Sequence, residues 1–417
     1  MPIADKAPAD AGAQAQKWLR RLDAAGVWVA ALLPIGIVIG NAGFEAVIGL
    51  TIALWLARAA IAKTSPLNGH LLRHPLLLPW LVWWACVVVS LLINGPGNKG
   101  WAHDVVLIRF LLYLVAVLDL AGRHNIARPM CIGLLAAVGW AGMNTAIAYA
   151  WGHDLLGKPL VRYTGKLKEA ARIAGLSMYA APFLLAWGIW DRSETGKMRT
   201  WAVGLGMVAT VQLLQLRIRT AMLAAVAGMF FFTIYFIKKR FSFKWAALVL
   251  MGGAAGLALF FHLAHLWDLS SIYDRIFYWK VAWVMWLDHP LFGASVSNFQ
   301  DMYRQMALSG RIEQFVAPDG RIFQLAEVYH AHNIVLMLLA STGIAGLLAF
   351  GWLFINFIRL IGADFCGWRI GMAAWPVVIA VAGLTGFNIY HSWYQALFAW
   401  LTAMVGIGVA VRERLHE

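Results

Sequence analysis

The chain has 417 residues, 61% of them hydrophobic and only 13% charged, with a formal net charge of +14. A water-soluble globular domain carries roughly 25% charged residues, so that class is excluded. In a soluble chain the positive excess would point to nucleic acid; here most of it falls in short loops between apolar runs, as the positive-inside rule expects, and no nucleic-acid partner is implied.

Run length and charged or Gly/Pro punctuation predict an all-α integral membrane protein, a single polytopic domain over residues 1–417. About twelve spans are expected, near 25–41, 45–62, 76–93, 104–121, 129–150, 173–190, 201–216, 221–237, 245–267, 332–358, 370–388 and 393–411. Lys17, Arg20 and Arg21 precede the first run with no convincing cleavage site, which fits an uncleaved first span. Trp80, Trp83, Trp84, Trp101, Trp151, Trp187, Trp190 and Trp201 lie near run ends, where an interfacial aromatic belt is expected. Lys63/Arg73, Arg123/Arg128, Arg192/Lys197/Arg199, Lys238/Lys239/Arg240/Lys244, Arg359/Arg369 and Arg412/Arg414 alternate with the spans and put both termini in the cytoplasm. Arg109, inside the fourth run, must find an anion, a carbonyl or water; pairing within the bundle and pointing to a cavity are both open. Cys86, Cys131 and Cys366 are isolated and offer no disulfide framework or metal motif.

Two stretches on the opposite side are richer in cations than the positive-inside rule expects. Residues 151–172 carry Lys158, Arg162, Lys166, Lys168 and Arg172, and residues 268–331, between spans 9 and 10, form the longest polar stretch. Short loops on that side, such as residues 94–100, are poor in charge. The cations are therefore expected to serve an anionic ligand on the outer face, with headgroup binding by a surface-lying helix as the alternative for 151–172. A loop as long as 268–331 should hold helices of its own. Ser271-x-x-Asp274 resembles a capping box and opens a run over 272–287 that stops at His289-Pro290. Arg275, Tyr278 and Trp279 lie one turn apart on one face of that run. Ser297 or Asn298 can cap a second short helix over 299–308, before Gly310.

Arg217 and Arg219 close the seventh run. On a continuous helix they diverge by about 200°, so both reach one ligand only if the helix ends there, and Thr220 with the apolar run from Ala221 fits a tight re-entry. Guanidinium is permanently charged, planar and bidentate, which suits phosphate; snorkelling to lipid headgroups is the alternative for either Arg alone. Arg275 adds a third cation beside aromatics. His330 and His332 invite a zinc reading, but ligation from one helix face needs i, i+4 spacing, and neither DxD nor HExxH is present; no metal and no cofactor is expected. His332 opens the tenth run. The positive helix end and nearby arginines disfavour imidazolium, leaving a neutral ring suited to general-base work. The plainer alternative is a histidine that caps or hydrogen-bonds at the interface. Asp274 and Glu327 are weak candidates for a carboxylate nucleophile.

At these residues the chain resembles the O-antigen ligase family, whose members share a membrane fold with O-antigen polymerases and bacterial protein O-oligosaccharyltransferases. The pattern H-[NSQ]-x9-G-x-x-G is met by His332-Asn333, nine residues, then Gly343-Ile344-Ala345-Gly346. A second pattern, R-x3-L, is met by Arg219 and Leu223, and Arg275 followed by His289-Pro290-Leu291-Phe292-Gly293 resembles the family's R…P-L-x-G stretch. Family members often continue G-x-x-G with two threonines, where this chain has Leu347-Leu348.

The resemblance implies a GT-C-like membrane fold with a helical periplasmic loop region. It also implies an enzyme that moves O-antigen polysaccharide from undecaprenyl pyrophosphate to a hydroxyl of lipid A–core, inverting and metal-independent. The reaction would take place at the periplasmic face of the bacterial inner membrane. His332 would be the general base, Arg217, Arg219 and Arg275 would hold the pyrophosphate, and His330, Asn333 and Tyr278 would support them. The alternatives are a polymerase or a protein O-oligosaccharyltransferase on the same donors. From another class, a secondary transporter or flippase should show pseudo-symmetric repeats and helices broken at mid-membrane; no internal repeat is evident.

Overall fold

A computed structural model describes residues 9–67, 69–97, 100–153, 168–191, 196–237, 270–312, 330–362 and 367–416, which are helical and form no strand. In chain order the helices are α1 (Ala9–Ala31), α2 (Leu33–Ile39), α3 (Asn41–Ala62), α4 (Gly69–Arg73), α5 (Leu77–Asn94), α6 (Gly100–Val105), α7 (Ile108–Arg123) and α8 (Ala127–Trp151). They continue with α9 (Lys168–Trp190), α10 (Gly196–Leu216), α11 (Arg219–Ile237), α12 (Ser270–Asp288), α13 (Phe299–Leu308), α14 (Ile334–Gly362), α15 (Trp375–Thr385) and α16 (Ser392–His416), with a 3-10 helix over Gly367–Ala374 leading into α15.

Seven helical stretches among the described residues are long and apolar enough to cross a membrane, or eight if the bent pair at the start counts as one span. The protein is thus multispanning and all-helical. The predicted span 245–267 lies outside the described residues. The first predicted span, 25–41, is not one straight helix: the chain bends by 46° between α1 and α2. Pro34 in the first turn of α2 cannot continue a helix from α1, because it lacks the N–H and its ring crowds the preceding turn.

Buried ion pairs fasten the end of the bundle where α1, α3 and α7 meet. Arg58 Nε donates to Asp23 Oδ1 at 2.8 Å, Arg123 reaches both Asp23 and Asp119, and Trp55 Nε1 donates to Asp119 Oδ2 at 3.0 Å. Arg123, expected as a loop cation, is therefore also an inter-helix tie. Arg109 resolves towards pairing: it donates to Glu45 Oε1 and to the Val106 carbonyl, each at 2.8 Å. The tryptophans divide. Trp101, Trp151 and Trp201 are exposed as a belt requires, whereas Trp80, Trp83 and Trp187 are core residues.

Helix α14 is two helices in line. Gly343 has φ 66° and ψ −164°, a conformation open essentially to glycine alone, and it interrupts the ladder about 14 Å from the first residue of α14. Backbone polar groups freed inside a membrane must be satisfied by protein. The segment after α12, residues 289–298, does this by threading into the break. Ile344 N–H donates to the Pro290 carbonyl at 3.0 Å and Ala345 N–H to that of Leu291 at 3.1 Å. In return the Ala340 carbonyl accepts from Ala294 N–H at 2.7 Å and that of Ser341 from Ser295 N–H at 3.0 Å. The crossing is so close that a Cβ on Gly343 would overlap the Leu291 carbonyl, and one on Gly293 would overlap the Ser341–Thr342 peptide. A mid-helix break, expected only of a transporter, is therefore present. Here, however, protein fills it.

Candidate active site

Three separate elements bring the sequence-predicted residues to one end of the bundle. The first is the α10–α11 junction. Helix α10 stops at Leu216, Arg217 turns the chain with φ 50°, and α11 starts at Arg219, so the predicted helix end between the two arginines is present. Arg219 is half-buried. Arg217 is exposed and joins none of the contacts below among the described residues.

The second element is α12, which occupies the predicted run within one or two residues. Its Arg275 donates through Nη2 to Thr220 Oγ1 at 3.4 Å, and Thr220 Oγ1 donates to the Thr385 carbonyl at 3.1 Å. Burial lowers the pKa of Arg275, the nearby Arg219 lowers it further, and Asp274 partly offsets both. Two guanidiniums held within electrostatic reach of each other, both half-buried, favour an anionic ligand.

The third element is the entry to α14. Asn333 caps that helix: its Oδ1 accepts from Val335 N–H at 3.0 Å and Leu336 N–H at 3.1 Å. His332, just before it, has φ 50°. Its Nδ1 lies 3.0 Å from the Gly386 carbonyl, in the turn after α15. A carbonyl only accepts, so Nδ1 carries the proton and the neutral ring keeps its lone pair on Nε2. Tyr278 stacks on the His332 ring with centroids 5.5 Å apart and planes at 24°. The His330 ring also packs against His332, 4.0 Å away, and against His391, 4.8 Å away, by centroids.

The pKa of His332 is lowered. Burial is the largest cause, the hydrogen bond to Gly386 opposes it, and the Arg275 charge adds to the lowering. The direction is the expected one, but the leading cause is desolvation rather than the helix end. Among the described residues no group of three His, Cys, Asp or Glu is arranged to hold a metal ion.

Sequence reasoning gave Thr220 only the tight re-entry and missed Gly386 and His391. The topology offered a signal for the last two, since the turn between the final two predicted spans falls on the same side as His332. Other expectations need correction or fall outside the described residues. Asn298 precedes α13 but makes no side-chain cap; its Nδ2 donates to the Gly95 carbonyl at 2.9 Å. Arg172 is buried, with Nη2 donating to Asn41 Oδ1 at 2.8 Å, so it is not part of an exposed basic surface. Lys158, Arg162, Lys166 and Glu327 lie outside the described residues, as do the side chains of Lys168 and Ser271.

No curated protein matches the chain. A family model does, that described as O-Antigen ligase, over residues 202–351. That stretch begins in α10, ends in α14, and contains both arginines of the junction, Arg275, the histidine pair and the glycine crossing. Over residues 202–351 the chain is thus similar to the O-Antigen ligase family.

Proposed function

We propose that the protein is an O-antigen ligase in the strict sense, a glycosyltransferase that moves a polysaccharide from undecaprenyl pyrophosphate to a hydroxyl of lipid A–core at the periplasmic face of the inner membrane. The observation that carries this reading is the convergence of Arg219, Arg275 and a neutral-tautomer His332 from three elements within the family-matched stretch.

The chemistry follows from those groups. The donor arrives activated, so no nucleotide is required. His332 Nε2 takes the proton of the acceptor hydroxyl as its oxygen attacks the anomeric carbon, a contribution of about 10²–10⁴-fold for a positioned base. The diphosphate leaves from the opposite side with its bonding electrons, and the anomeric centre inverts. Arg219 and Arg275 meet the charge that develops there, with Arg217 at the mouth, by the electrostatic logic of a preorganised anion site. Tyr278 and His330 hold the imidazole plane, and Asn333 fixes the helix entry.

The test is transfer by the purified protein from a prenyl-diphosphate-linked glycan to lipid A–core. Glycan joined to the core with release of prenyl diphosphate supports the ligase. Longer glycan still on the carrier would instead mean a polymerase.

Two outcomes follow for this site. Arg219→Lys and Arg275→Lys should each lower donor kcat/KM by about 10–100-fold, the range of a lost hydrogen bond to a charged group. A point charge does not replace a planar fork; equal activity of the Lys variants would leave only a diffuse charge effect. The pH profile is the second. A base with a lowered pKa stays neutral further into acid, so kcat/KM should fall only below the ordinary imidazole range. Arg275→Ala removes a charge that lowers the pKa of His332, and should move this acid limb to higher pH.

A further inference from the structure

The 289–298 segment is anchored by a group with no part in the chemistry above. Asp104, fully buried at the end of α6, accepts through Oδ2 from Ser295 Oγ at 2.7 Å, from Ser297 Oγ at 3.1 Å and from Ser297 N–H at 3.3 Å. Its Oδ1 lies 2.8 Å from His103 Nδ1. Ser295 is itself unusual: φ is 75°, it is fully buried, and its N–H is held by Ser90 Oγ at 2.9 Å as well as by the Ser341 carbonyl. A non-glycine residue in that region persists only where its surroundings over-determine it. Ser90 Oγ also donates to the Ser341 carbonyl at 2.8 Å, so the last turn of the upper half of α14 is gripped from two sides.

We infer that Asp104 is a positioning residue for His332. The inference rests on the catalytic reading only for its effect on turnover. Residues 334–342 form a short half-helix, cut from the rest of α14 by Gly343. Its first end carries Asn333 and His332, and its far end is fixed by Ala294, Ser295 and Ser90. Three of the donors to Asp104 come from this 289–298 segment, which is also the direct continuation of the helix that bears Arg275. The buried carboxylate thereby holds in one frame the half-helix of the base and the helix of a diphosphate-binding arginine. Replacing it loosens both without touching either.

The experiment needs no substrate in its first two arms. In the purified full-length protein, Asp104→Ala should raise hydrogen exchange at the Ile344 and Ala345 amides and speed carbethoxylation of His332. Each should rise about 10- to 100-fold, as expected where a restraint made of hydrogen bonds to a charged group is removed. His124, which follows α7 and pairs with Asp23, is the internal control and should react at its original rate. Ser297→Ala, which removes one hydroxyl donor, should move both readouts in the same direction by less, and it keeps the test open if the Asp104 variant does not fold. Faster exchange with unchanged His332 reactivity would overturn the inference, because the anchor would then be structural only. Unchanged exchange would overturn it also. In the transfer assay kcat should fall and donor KM should rise, because the base and a diphosphate-binding arginine are loosened together. Absence of transfer by the unsubstituted protein would sink the ligase reading and leave the first two arms standing.

Discussion

Replacement of His332 is expected to remove about 10²–10⁴-fold of the transfer rate, the share of a positioned general base, while the protein still inserts and folds. Alanine is the blunt form of the test, because it also gives up the hydrogen bond to Gly386 and the stack on Tyr278. Asparagine is the sharper one. It tolerates the positive φ of this position better than most residues, and its amide N–H can replace the Nδ1 donor to the Gly386 carbonyl, yet it has no basic nitrogen. Both variants should lose kcat to a similar depth, with the bound donor still detectable through Arg219 and Arg275. Turnover by His332→Asn within a few fold of the unsubstituted enzyme would remove the base from the mechanism. The imidazole would then be a packing element between Tyr278 and His330.

The parts of this site written in local chemistry were legible in the sequence. Arg217 and Arg219 sit too far apart in angle to share a helix and a ligand, which predicted the chain break that is found at Arg217. The apolar run stopping at His289-Pro290 gave α12 and placed Arg275 and Tyr278 on one face, and Tyr278 does stack on His332. Contacts between segments distant in the chain were not legible. Gly386, 54 residues from His332, offers a backbone carbonyl, a group every residue carries. Asp104 was indistinguishable from a helix-end carboxylate until Ser295 and Ser297, 191 and 193 residues away, were seen to donate to it. Hydropathy records apolar length and is blind to a bend such as that between α1 and α2, where one apolar run yields two helices.

The two glycine patterns illustrate the limit, and they carry the largest stability effect expected here. Apolar membrane helices are rich in glycine, so Gly343-Ile344-Ala345-Gly346 alone says little, and Pro290-Leu291-Phe292-Gly293 says little more. Together they are the two sides of one backbone crossing. Gly343→Ala places a methyl group onto the Leu291 carbonyl and forces an L-residue into a conformation costing about 1–3 kcal/mol by itself. The overlap is with backbone, so no side-chain rotation relieves it; the 289–298 segment must leave the break. Four inter-segment hydrogen bonds are then lost: residues 340, 341, 344 and 345 can re-pair along a continuous helix, but the Pro290 and Leu291 carbonyls and the Ala294 N–H are left without partners inside the bundle. Unsatisfied backbone groups in hydrocarbon cost several kcal/mol each, which is comparable to the whole stability of a typical domain. Gly343→Ala and Gly293→Ala should therefore abolish a monodisperse peak in detergent. Gly351→Ala, on the same helix with open space around its Cβ, should leave the protein as stable as before. A folded, active Gly343→Ala protein would show that the break is not sealed by this crossing, and the frame that holds His332 would need another source.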